Sequence, residues 1–149
     1  MFSRIARSRR TLSLSALDSL SRSASADRRL EALVRIREQT AEGGVRRGYL
    51  AIARRLIGDA DDDCRWQALI VAGEFIPSEP EAVWQLVRRY GSSDDRDMRA
   101  AVATILLEHL LERRRARYRR LVEAEIRKGN RQLEDTFARC WTFARPGQP

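Results

Sequence analysis

The chain has 149 residues, 34% of them charged, with 29 basic side chains against 21 acidic ones and a formal net charge of +8. That length fits one domain with a sizeable core. No apolar run approaches the roughly 18 residues that a membrane-spanning helix needs, and the only histidine, His109, leaves little room for histidine-based metal or proton-transfer chemistry.

The positive charge is almost all arginine, Lys128 being the only lysine. It sits at the two ends. Residues 1–29 carry seven basic and two acidic groups, residues 30–112 carry 11 and 15, and residues 113–149 carry 11 and four. Basic ends can pair with the acidic middle, within one chain or between chains, or can face a polyanion. The two cysteines, Cys64 and Cys140, form no C-x-x-C pair and no disulfide framework, which fits a reducing, cytoplasmic setting. Cys64 falls at a helix start, where the dipole would lower its pKa, but an inert, half-buried thiol is the simpler reading.

Residues 1–26 read as a flexible or loosely docked Ser/Arg-rich arm. The composition superficially suggests an organellar transit peptide but lacks the apolar core of a secretory signal. Leu12, Leu14, Leu17 and Leu20 would suit a short sticky helix within it. From Asp27 onward the pattern is helical. Asp27 caps a helix to about residue 42, ended by Gly43 and Gly44. A second helix over 45–57 carries Tyr49, Ile52, Ala53 and Leu56 at i, i+3, i+4 and i+7. A third over 63–76 is apolar on several sides. After Pro77, with Ser78 and Glu81 as a capping box, a fourth over 79–90 carries Val83, Leu86, Val87 and Tyr90. A fifth over 95–112 again has a buried-looking centre. A sixth over 114–128 turns Ala116, Tyr118 and Leu121 inward, and a seventh covers 131–144. Residues 145–149 read as a disordered tail.

A shift of 34 residues aligns two of these units. Asp61 meets Asp95, Asp63 meets Asp97, Arg65 meets Arg99 and Glu74 meets Glu108, while apolar class is kept at Tyr49/Val83, Ile52/Leu86, Ala53/Val87, Ala68/Val102 and Val71/Ile105. A pair of helices that cannot bury its apolar stripe alone does so by stacking on the next pair, and inner helices flanked on both sides become the most apolar.

The strings Asp61-Asp62-Asp63-Cys64-Arg65-Trp66-Gln67-Ala68 and Asp94-Asp95-Arg96-Asp97-Met98-Arg99-Ala100-Ala101-Val102 resemble the second-helix signature of HEAT repeats. The longer pattern, including Gly73-Glu74-Phe75-Ile76, Pro80-Glu81-Ala82-Val83-Trp84, Glu108-His109-Leu110 and Phe137-Ala138-Arg139-Cys140-Trp141, is similar to small uncharacterised bacterial HEAT-like proteins. The resemblance implies an all-α fold: a short, right-handed HEAT-like superhelix of about three helix pairs over 27–144, with an N-terminal helix added. It also implies an inter-repeat ladder of Asp61, Asp63, Asp95 and Asp97 with Arg65 and Arg99. At the next 34-residue step Leu133 replaces the arginine, as befits an atypical capping unit.

The expected function is a non-enzymatic protein-binding or scaffold module, with no cofactor and no membrane partner. Its candidate surface comprises Glu74, Trp84, Glu108, Arg113, Arg114, Arg117 and Arg120. Trp66 and Trp141 read as core anchors, and Trp84 as a stripe-edge residue that marks a partner surface if exposed. One alternative is nucleic-acid binding through the arginine run 113–120, without a base-reading motif. Another is a small enzyme using Glu74 and Glu108 as groove carboxylates, without a recognisable nucleophile or base beside them. The Asp59–Asp63 run lacks the spacing of a calcium loop and reads as helix capping. His109 with one nearby glutamate is too little for zinc.

Overall fold

A computed structural model describes residues 10–140, and among them the fold is all α, without strands. The elements are α1 (Leu14–Ser21), α2 (Ala26–Gly43), α3 (Arg47–Leu56), α4 (Asp62–Gly73), α5 (Pro80–Tyr90), α6 (Arg96–Val102), a π-helical turn (Ala103–Leu107), α7 (Glu108–Arg127) and α8 (Arg131–Ala138). The α6 helix, the π turn and the first part of α7 run on as one rod. The rod breaks at Arg114, whose φ of −146° and ψ of 69° are not helical, close to the boundary expected from sequence.

Two sets of helices alternate. The α2, α4, α6 and α8 helices touch in that order, and α1, α3, α5 and the second part of α7 pack alongside them. Within each set, neighbours run parallel. Arg99 reaches Asp135, and Cys140 reaches the carbonyl of Ala103 four residues further along. In the other set, Arg117 meets Glu81, and Arg88 meets Glu125 further down the same two helices. Amphipathic spacing explains the packing. Tyr49, Ile52, Ala53 and Leu56 of α3 are all buried, as are Val83, Trp84, Leu86 and Val87 of α5. The α4 helix buries Cys64, Ala68, Leu69, Val71 and Ala72, because it is flanked on two sides.

Several sequence expectations need correction. The stretch expected to be a flexible or loosely docked arm contains α1, the short helix that its leucines suggested, and Leu17 is fully buried, so this part is docked rather than flexible. Gln39 fastens the segment by accepting from Leu12 N (2.7 Å), while its amide donates to Leu12 O (3.2 Å), and Arg55 donates to Asp18 (3.3 Å). Residues 1–9 lie outside the described residues. The N-cap of α2 is Ser25 rather than Asp27, which falls in the first turn. The expected capping box at Ser78 is absent: Glu79 is the cap of α5 and Pro80 occupies its first turn, where a missing N–H costs nothing. Ala116 is exposed rather than inward, while Tyr118 is buried. Trp141 to Ala144 and the tail 145–149 lie outside the described residues. Gly44 (φ 81°) and Gly129 (φ 94°) end α2 and follow α7 in the left-handed region, which explains glycine there.

The π turn holds a side chain bonded to the backbone. Thr104 Oγ1 donates to the carbonyl of Ala100 (3.1 Å) and also lies near that of Ala101. Such back-bonding competes with the helical ladder.

Candidate functional site

The repeated unit is built around the loop that precedes each inner helix. Its first residue turns the chain by accepting from the N–H two residues on: Ser23 from Ser25, Asp59 from Asp61 (2.9 Å) and Ser93 from Asp95 (3.1 Å). The third residue is the N-cap. Asp61 accepts from Cys64 N (2.9 Å), and Asp95 accepts from Asp97 N (2.9 Å) and Met98 N. Four residues after the cap an arginine folds back onto the loop. Arg29 Nη1 donates to Ser23 O (2.9 Å), Arg65 Nη1 to Asp59 O (3.1 Å) and Arg99 Nη1 to Ser93 O (2.8 Å).

Arg65 and Arg99 therefore hold equivalent places, and Arg29 holds a third that the 34-residue alignment missed. The spacing from Arg29 to Arg65 is 36 residues. The signal was present as Ser25-Ala26-Asp27-Arg28-Arg29 beside Asp61-Asp62-Asp63-Cys64-Arg65 and Asp95-Arg96-Asp97-Met98-Arg99: Ser or Asp, then Asp at the second place after it and Arg at the fourth.

The carboxylate partners differ from those expected. Arg29 makes a two-pronged pair with Asp59, Nε to Oδ2 at 2.8 Å and Nη2 to Oδ1 at 3.0 Å. Arg99 reaches Asp135 of α8 at 2.9 Å, which also receives Arg139. Arg65 pairs with Asp62 of its own helix. The loop residue that would serve Arg65 as Asp59 serves Arg29 is Ser93, which has no charge. Among the described residues Asp63 and Asp97 are exposed first-turn residues without an ion pair, and Asp61 and Asp95 act as caps. Burial opposes ionisation of Asp59, but the Arg29 guanidinium and the Asp61 N–H outweigh it, so the carboxyl titrates below its usual range. Hydrogen bonds from Arg139 and Arg99 do the same for Asp135.

The tryptophans exchange roles. Trp84 is buried (4% exposed) and its ring lies 6.1 Å from that of Tyr118, whereas Trp66 is 49% exposed. Trp66 borders a cleft of about 220 Å³ between α4 and α6, with Leu69, Met98 and Ala101 as its apolar floor and Asp62, Arg65 and Asp97 around it.

Glu74 is not inside a helix but is the exposed residue that ends α4. Glu108 is half-buried in the rod, just past the π turn. The arginine run is divided. Arg117 donates to Glu81 (2.6 Å), which also accepts from Tyr118 OH (3.2 Å), and Arg119 pairs with Glu123 (3.0 Å). Arg113, Arg114 and Arg120 stay exposed near the break.

Both cysteines are buried thiols. Burial pushes Cys64 up to about 11, against the helix-start expectation, and its Sγ–H points to Ala26 O at 3.5 Å. Burial likewise pushes Cys140 up to about 12. Among the described residues no group of three or more His, Cys, Asp or Glu side chains converges as a metal site would require, and no helix is long and apolar enough to cross a membrane. No protein family, curated protein or solved structure matches the chain.

Proposed function

We propose that this protein is a HEAT-like helical-repeat module, coiled as a short right-handed superhelix, whose role is to bind another protein rather than to catalyse a reaction. The observation that carries the reading is the loop-and-arginine unit at Arg29, Arg65 and Arg99, set on parallel neighbouring helices. Repetition of this kind sets inner helices side by side and leaves an extended face for a partner. Trp66 is a large aromatic group exposed on that inner set, and aromatic anchors of this type dominate protein interfaces. Affinity capture from native lysate tests the reading. A specific protein retained by the full chain and lost with Trp66→Glu supports it, and retention of no protein overturns it.

Exposed Arg113, Arg114 and Arg120 favour a second reading, polyanion binding beside the break in α7. Retention of mixed DNA or RNA fragments that weakens steeply with salt would support it. The pairing of Arg117 and Arg119 with glutamates reduces the charge available for it.

A further inference from the structure

We propose that the cleft between α4 and α6 takes an arginine or lysine side chain from a basic, apolar-flanked segment of a protein partner. The inference deepens the protein-binding reading and rests on it. Its ground is the chemistry of the cleft wall. The half-exposed indole of Trp66 supplies the side-chain face best suited to a cation. Leu69, Met98 and Ala101 supply an apolar floor for the methylene stem of a long basic side chain. At about 220 Å³ the cleft holds a single side chain rather than a folded element.

Charge selects the sign of the occupant. Arg65, the only cation lining the cleft among the described residues, is already engaged by Asp62 and by the carbonyl of Asp59. Asp97, on the opposite wall, meets no cation within ion-pair distance among the described residues. On the cleft's own lining, the charge left uncompensated is therefore the Asp97 carboxylate. A guanidinium or ammonium group placed there gains the indole face and the Asp97 carboxylate together, whereas a phosphate or an acidic peptide meets repulsion.

Fluorescence anisotropy with the full chain tests this. The probes are two labelled peptides of alternating leucine with arginine and of alternating leucine with glutamate. The arginine peptide is expected to bind, the glutamate peptide to bind at least about tenfold more weakly, and salt to weaken the arginine peptide. Trp66→Ala and Asp97→Asn are each expected to weaken it about tenfold, with helical circular dichroism unchanged because both side chains are exposed. Equal affinity for both peptides, no binding of the arginine peptide, or binding that ignores both substitutions overturns the proposal. If it fails while lysate capture still depends on Trp66, the choice of a basic occupant falls and the protein-binding reading stands. If both fail, both fall.

Discussion

Arg29 grips Asp59 with two parallel N–H···O bonds of 2.8 and 3.0 Å, joining the start of α2 to the loop before α4. The side chains of this pair are only 17% and 10% exposed, the least exposed of the ion pairs between different helical units among the described residues. Planar, two-pronged geometry in a partly dry setting is where an arginine–carboxylate pair contributes most. Arg29→Lys should not restore it, because an ammonium cannot make both bonds while also reaching Ser23 O.

Asp59→Ala is expected to lower the thermal midpoint by roughly 3–6 °C, read by circular dichroism at pH 7. The pH dependence follows from the sign of the shift. The folded carboxyl titrates below its usual value, so its contribution is complete above about pH 4 and is lost as the pH falls through the folded value. The gap between wild type and Asp59→Ala should therefore narrow on acidification, and a constant gap from pH 7 to 3 would contradict the account.

Ser93 offers the converse experiment. Ser93→Asp puts a carboxylate where Asp59 stands one unit earlier, within the loop that Arg65 should reach. It keeps an oxygen to accept from Asp95 N. A gain of roughly 0.3–1 kcal/mol in urea unfolding is expected, typical of a surface pair, and it should vanish when Arg65 is also changed to Ala.

Leu17→Ala tests whether α1 belongs to the cooperative fold. Leu17 is fully buried, so removing its side chain should cost about 2–4 kcal/mol. A loss under about 0.5 kcal/mol in urea unfolding would mean that α1 contributes little to the core.

The thiols give a chemical check. With Cys64 pushed up to about 11 and Cys140 to about 12, both stay protonated at pH 8. A thiol-exchange reagent should titrate almost none in the native protein and both in denaturant. Fast native labelling of Cys64 would refute its burial against Ala26.

Helix periods and the 34-residue shift made α3, α4 and α5 legible in the sequence, because each carries an unbroken apolar stripe. Arg29 escaped because the spacing to Arg65 is two residues longer, which defeats a fixed-shift alignment while leaving the loop chemistry intact. Trp66 was misplaced because the string Ala68 to Ala72 suggests burial all round. Its neighbours one turn back, Asp62 and Asp63, lie on the same face and mark it as solvent-facing. Trp84 stands three residues before Val87, which places it on the stripe. Glu74 and Glu108 share a sequence shift but not a structural role. The α4 helix stops at Gly73, while the equivalent rod continues through its π turn, and a π turn leaves no apolar period of its own to read.

Because each helix packs mainly against helices close to it along the chain, order can be lost piecemeal. Among the described residues, α1 and α8 each have a neighbour on one side only along their own row, whereas α4 is flanked on both sides. Amide exchange should thus proceed inward from both margins, with the α4 amides the last to take up deuterium.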